Sequence, residues 1–395
     1  MSLLRLLLLF AVATGGWTAA HWYVSRRLFR PWALPGPTPS DRRQRLARVA
    51  FWLAWALVPL TMLLGRSLTR APWFAPIRWA GFVHMGLFFL VFCGVFVRDL
   101  GFAGAKLATR LSRGDPDLGR RAFLTRTTNA GILGGAGVLT AWGFVEARAL
   151  PTVVEVDVPI TGLPPALDGY RIAQLSDIHV GPTIRGAYLA ACVRMANELE
   201  PDLIAVTGDL VDGYVDDLRD DVAPLGELAA PDGVYFCTGN HEYYWDAEAW
   251  VAEVERLGLT ALCNAHRLVE REGAKLLVAG CTDYRADRLL PAHASDPAKA
   301  KEGAPAHDVS LLLAHQPRSL EAAAAAGFDL QLSGHTHGGQ FFPVNLFIGL
   351  AQPVGAGLAK RGDLWVYVNR GTGYWGPPQR AGVPSEITLL RLVRA

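Results

Sequence analysis

LSGHTHGGQFFP, residues 332–343, sets His335 and His337 one residue apart and flanks them with Ser333, Gly334, Gly338 and Gly339. If a strand ends at Ser333 and the chain turns at Gly334, both imidazoles project from one short stretch of backbone. The glycines let that backbone approach a neighbour closely and adopt φ > 0 where needed. Turn preference explains glycine and serine here, but turns do not favour histidine.

The pattern recurs along the C-terminal part of the chain. YRIAQLSD, DLIAVTGD and GVYFCTGN are apolar runs that end in turn residues, and VSLLLAHQP, FDLQLSGHTH and LWVYVNRGTG repeat the design. Helical stretches are predicted between them, over 187–199 and 218–230, and EAAAAAGF from Glu321 reads as a helix ending at Gly327. The alternation predicts a layered α/β domain over 150–395. At the strand ends stand Asp177 and His179, Asp209, Asn240 and His241, His315, and then His335 with His337. The carboxyl ends of strands in an open α/β sheet converge on one crevice, so these residues can meet there.

The first 149 residues have a different texture. With 395 residues the chain has room for about two domains, and its 51% hydrophobic share is concentrated in four apolar runs, 3–24, 49–64, 77–97 and 130–145. These lengths approach the roughly 20 residues a membrane helix needs, which predicts about four transmembrane helices. Arginines separate the runs. Arg26, Arg27, Arg30, Arg42, Arg43, Arg45 and Arg48 follow the first, and Arg98, Lys106, Arg110, Arg113, Arg120, Arg121 and Arg126 follow the third, whereas the second and third are separated only by Arg66 and Arg70, with Arg78 at the start of the third. The positive-inside rule makes the two richer loops cytoplasmic and the C-terminal domain extracytoplasmic, in a multi-pass protein of the cell membrane. Cleavage of the first run as a signal peptide would reverse this against the charge bias. The segment from Gly119 also resembles a twin-arginine export signal, through Arg120-Arg121 followed by an apolar run, although it is internal.

A net charge of +2 with 19% charged residues gives no field that favours nucleic acid as a partner. The five cysteines lack the paired spacing of zinc or redox motifs and read as free thiols, with a Cys263–Cys281 bond as the one alternative. Within the apolar runs the basic groups are His21 and His84 with Arg5 and Arg78 near the run ends, and there is no acid, which is little for a transport pathway.

Taken in order, D-x-H at Asp177, G-D-x-x-D at Gly208, G-N-H-E at Gly239, His315 and G-H-T-H at Gly334 resemble the calcineurin-like metallophosphoesterases over residues 150–395, in a membrane-anchored branch with GHTHGGQ. The resemblance implies a four-layer α-β-β-α sandwich and two divalent metal ions, of Mn, Fe or Zn type by the mix of donors. It assigns Asp177, His179 and His337 to one ion, Asn240, His315 and His335 to the other, and Asp209 as the bridge. His241 is then the catalytic residue over the phosphoryl group, acting beside a metal-bridging hydroxide. Glu242 and Asp212 occupy positions from which ligating imidazoles are oriented, and Arg370 reads as a solvated or ion-paired arginine. His266, His293 and His307 read as surface residues.

The implied activity is phosphodiester or pyrophosphate hydrolysis, on lipid-linked or cell-envelope phosphoesters if the bilayer is more than an anchor. The alternative is a non-catalytic metal-binding signalling protein on the same fold. Tyr243, Tyr244, Trp245, Phe341, Phe342, Tyr374 and Trp375 are candidates either for an apolar rim or for the core.

Overall fold

A computed structural model of the chain describes residues 3–29, 41–64, 71–111 and 118–395. Arg30, Arg66, Arg70 and Arg113, used above for orientation, lie outside the described residues. The chain divides into two compact units, Met1–Trp142 and Gly143–Ala395.

The first unit is helical: α1 (Leu3–Phe29), α2 (Asp41–Leu64), α3 (Ala75–Leu111) and α4, which starts at Leu118 and ends at Arg148. Among the described residues, three helical stretches are long and apolar enough to cross a membrane: Arg42–Leu64, Ala75–Thr109 and Ala122–Arg148. All three outrun the apolar runs seen in the sequence. The stretch from Arg98, read above as a loop, continues α3 because Asp99 answers its charge: Arg98 Nη2 and Arg27 Nε lie 2.7 and 2.5 Å from the carboxylate, and the Tyr23 hydroxyl donates to it at 2.7 Å. A paired charge is far easier to keep in a helix of this kind than a lone one. His21 and His84 meet across α1 and α3, with their Nε2 atoms 3.2 Å apart.

The second unit holds twelve strands among its described residues: β1 (Thr152–Ile160), β2 (Arg171–Leu175), β3 (Leu203–Val206), β4 (Val234–Phe236), β5 (Thr260–Ala261), β6 (Ala265–Arg271), β7 (Ala274–Gly280), β8 (Val309–Leu313), β9 (Leu330–Ser333), β10 (Gly357–Arg361), β11 (Leu364–Val368) and β12 (Glu386–Arg394). They form two six-stranded sheets, ordered β1-β12-β2-β3-β4-β5 and β10-β11-β9-β8-β7-β6. Strands β2 to β5 are mutually parallel, as are β7, β8, β9 and β11. This is a mixed α/β fold built on two sheets, as the resemblance implies.

The apolar runs follow from burial on both faces. In β3, Leu203 and Ala205 enter the layer between the sheets while Ile204 and Val206 face the helices, as the two-residue strand period requires. Helices α5 (Gly186–Glu198), α6 (Val215–Val222), α7 (Asn240–Tyr244) and α8 (Ala247–Arg256) follow. Cys192, Leu218 and Trp250 from α5, α6 and α8 cover the outer face of the first sheet. Ala300, Leu320 and Ala323 cover the outer face of the second.

The predicted helix over 218–230 is displaced. It starts earlier, at Val215, and ends at Val222, because Pro224 cannot continue an α-helix and the chain tightens into a 3-10 turn over Ala223–Glu227. The helix after Glu321 ends before Gly327, which has φ 68°. All five cysteines are free thiols, so Cys263 and Cys281 are not bonded.

Candidate metal centre

Each chemistry-bearing residue sits just beyond a strand end. Asp177 and His179 follow β2, Asp209 follows β3 and Asn240 opens α7 after β4, so the first sheet presents them side by side. His315 follows β8, and His335 and His337 follow β9, from the second sheet. The sheets are tied directly below this point, where the buried Gln174 side chain donates to Thr207 Oγ1 and to the Ser333 carbonyl, each at 2.9 Å.

The backbone there is unusual in a consistent way. Asp177, His179, Asp209, His335 and His337 have φ of 52°, 55°, 51°, 69° and 50°. Residues with a Cβ disfavour this left-handed region, and it persists where surrounding structure over-determines it. Gly334 has an ordinary φ. Its role is close approach, since a Cβ would collide with Ser176 Oγ and the Asp177 carboxylate.

The side chains form three groups, each with ligand atoms within 4.8 Å of one another: Asp177, His179 and His337; His179, Asp212 and His241, which shares His179 with the first; and Asp209, His315 and His335. Asp209 Oδ2 joins them, at 3.2 Å from His315 Nε2 and 3.9 Å from both His179 Nε2 and His241 Nε2. His179 Nε2 faces His337 Nε2 at 3.1 Å, and His335 Nδ1 faces His315 Nε2 at 3.3 Å. Facing imidazole nitrogens need a proton or a cation between them. The Oδ1 of Asn240 is buried and accepts no hydrogen bond, which leaves an oxygen donor unspent. Burial holds His335 down to about 3, and burial with the Arg380 charge holds His337 well below its usual range. Both rings are therefore neutral and able to offer a lone pair. This donor set fits divalent cations.

The outer contacts orient the donors. His315 Nδ1 donates to the Thr207 carbonyl at 2.8 Å, which turns Nε2 inwards. Asp177 accepts the His335 N–H on both oxygens, at 3.0 and 2.9 Å, and the Ser176 hydroxyl at 2.6 Å. Asp212 binds His241 Nδ1 at 2.5 Å and lies 3.4 Å from His179 Nδ1. Burial opposes the charge on His241, but Asp209 and Asp212 outweigh it and raise its pKa to about 9. Two aromatic rings flank His241, Tyr244 at 5.1 Å and Trp375 at 5.6 Å between centroids, and both are exposed. Phe342 is also exposed, whereas Phe341 and Tyr374 are core residues.

Glu242 does something other than the orienting of imidazoles expected above. It is fully buried and accepts the backbone N–H groups of Asp209, Leu210 and Gly239 at 3.1, 2.7 and 2.6 Å, so it clamps the β3 turn to the β4 turn. Burial first, then the charge of Asp209, raises its pKa to about 7. Glu242→Ala strands three buried donors, and at roughly 1–3 kcal/mol each the expected loss is about 3 kcal/mol or more. Thermal unfolding of the variant is expected to fall by several degrees; an unchanged midpoint would show that the clamp is dispensable.

Arg380 lies in PPQRAG, where no motif marks it. Its guanidinium is fully buried and donates to the carbonyls of His337, Arg370 and Gly373. Its Nη2 lies 3.0 Å from His337 Nδ1. A guanidinium only donates, so Nδ1 accepts and the contact fixes the ring's rotation. Arg370 is half exposed and 3.5 Å from Glu386 Oε2. His266 and His293 are half-buried, bonded to the Ala300 carbonyl and the Tyr243 hydroxyl, and His307 is bonded to the Pro305 carbonyl.

Two facing sheets whose strand ends surround a carboxylate, amide and imidazole cluster define an α/β sandwich with a candidate metal site. Residues 170–339 match the calcineurin-like phosphoesterase family, and this chain belongs to that family. It is 41% identical over 266 residues to a transmembrane protein with metallophosphoesterase domain from Danio rerio, a match that covers 65% of this chain and 61% of that protein. The chain thus spans less than two thirds of that relative. It is 30% identical over 296 residues to the uncharacterized metallophosphoesterase YkuE of Bacillus subtilis, covering 70% of this chain and 98% of that one. Among solved structures it resembles the calcineurin-like phosphoesterase YfkN from Bacillus subtilis, at 17% identity and TM-score 0.38, covering 52% of this chain and 82% of that one.

Proposed function

We propose that this protein is a membrane-anchored, two-metal-dependent phosphoesterase. In this reading Asp177, His179 and His337 serve one ion, Asn240, His315 and His335 serve the other, and Asp209 lies between them. The observation that carries it is the convergence of donors from both sheets around Asp209 Oδ2. The chemistry supplied by divalent ions at such a site is Lewis acidity, which activates water and neutralises phosphoryl charge. Carboxylate, amide and imidazole donors without thiolates suit Mn, Fe or Zn.

The chain's own groups do the positioning. Asp212 holds Nδ1 of His241, which leaves Nε2 directed towards Asp209 Oδ2. With its pKa raised to about 9, His241 is protonated at neutral pH. It can therefore donate to a phosphoryl or leaving oxygen. Full-length protein in detergent with added Mn is expected to hydrolyse bis(p-nitrophenyl) phosphate. Metal-loaded protein that is inert on monoesters, diesters and diphosphates alike would sink the reading.

We further take residues 1–149 as a multi-pass membrane region of about four spans and 150–395 as the catalytic domain, facing away from the cytoplasm. The basic residues after the first and third apolar runs support this orientation. A phosphatase reporter fused after Ala395 is then active outside the cytoplasm; activity confined to the cytoplasm would reverse the topology. Tethering favours lipid-linked or cell-envelope substrates, because it raises their effective concentration at the site.

A further inference from the structure

A cavity of about 370 Å³ opens beside the candidate centre, with Asn240 and His335 in its wall together with Arg285, Arg288 and Arg318. That volume suits a small organic ligand. The arginines come from the loops after β7 and β8, the second of which also supplies His315. Arg285 and Arg288 are exposed and Arg318 is half-buried. Among the described residues none of the three is ion-paired, and Arg318 Nη2 donates only to the Ala351 carbonyl, at 2.8 Å.

One acid shares this wall. The Asp283 carboxylate is buried and occupied within the protein, since it accepts from Gln316 Nε2 at 2.8 Å and from the Arg285 backbone N–H at 2.9 Å. Three arginines therefore line the cavity against one internally satisfied carboxylate. A single scissile phosphate, whose charge would be met at the candidate centre, does not account for them. Guanidinium forks match phosphate oxygens and hold them bidentately. Tyr244, also in the wall and exposed, offers a face for an organic group.

We propose that this cavity binds a second anionic phosphate next to the scissile one, so that the preferred substrates are organic diphosphate diesters. The proposal rests on the phosphoesterase reading above. In that hydrolysis water would attack the phosphorus held at the candidate centre, and its oxygen would form the new P–O bond. The bond from that phosphorus to the bridging oxygen breaks, and the electron pair leaves with the second phosphate as a monoester. The water protons end on the two phosphate products. Arg285, Arg288 and Arg318 hold the departing phosphate.

The test uses the full chain in detergent with Mn, and three substrates: bis(p-nitrophenyl) phosphate, diadenosine diphosphate, and CDP-diacylglycerol in mixed micelles. Activity per enzyme at low substrate is expected to be at least about tenfold higher on one or both diphosphates, and the substrate that wins distinguishes a nucleotide from a lipid source. Arg285→Gln with Arg288→Gln is expected to lower that preference by tenfold or more. In equilibrium dialysis, α,β-methylene-ADP should bind more tightly than AMP, and the gap should close in the double variant. Hydrolysis of the single-phosphate ester with no preference for a diphosphate, or a preference that the variant leaves intact, overturns the inference and leaves the phosphoesterase reading standing. Inertness on all three overturns both.

Discussion

Asp209→Asn is expected to cut turnover by about a thousandfold or more and to lower the bound metal below two ions per chain. Asp209 Oδ2 lies 3.2 Å from His315 Nε2 and 3.9 Å from His179 Nε2, so one oxygen serves donors of both proposed sets. The amide keeps the size of the side chain, and its oxygen can still accept the His241 N–H that Asp209 Oδ1 accepts at 2.8 Å. What it loses is a negative charge and one lone-pair-bearing oxygen at the shared position. Changing an outer partner of a metal ligand already costs about 10- to 100-fold, and a shared inner ligand should cost more. Metal content by mass spectrometry, turnover on bis(p-nitrophenyl) phosphate and the thermal midpoint check it together. A folded variant with two ions and full turnover would remove Asp209 from the centre.

The position of such a site was legible because its scaffold obeys local rules. A short apolar run such as LIAV, bounded by turn residues, is too short for a core helix and reads as a strand buried on both faces, and the turn residues after it mark the end where ligands emerge. Other features have no local signature. The C-terminal strand β12 inserts between β1 and β2, pairing Thr152 with Glu386, a partner more than two hundred residues away that periodicity cannot indicate. Arg380 reaches His337 only through the tertiary fold, and an arginine in PPQRAG looks like any loop arginine. Glu242 was visible as an acid beside the ligands, but its task depends on three backbone amides brought together by two different turns. Phe341 and Phe342 are adjacent and alike in chemistry, yet one is core and the other exposed, because neighbouring residues leave the backbone in different directions. The Arg285, Arg288 and Arg318 wall is scattered over two loops and gives no motif.

His241→Ala separates catalysis from metal binding, and that separation is its value. The imidazole is held by Asp212 Oδ1 at 2.5 Å and flanked by Tyr244 and Trp375, while its Nε2 stands 3.9 Å from Asp209 Oδ2. It belongs to neither proposed ligand set, so its removal should leave two ions bound. Loss of a positioned proton donor costs about 10²- to 10⁴-fold, and this is the expected fall in turnover. Asp212→Asn should lie between the two enzymes. The amide still fixes the ring's position but removes the charge that, with Asp209, raises the imidazole to about 9 despite its burial. The folded-state pKa is raised, so the protonated donor is present below it and lost as pH rises through it. Wild-type turnover should therefore decline as pH rises through about 9, and in Asp212→Asn the decline should begin at lower pH. If His241→Ala loses metal in step with activity, the residue is structural; if it keeps both metal and full turnover, the proton comes from elsewhere.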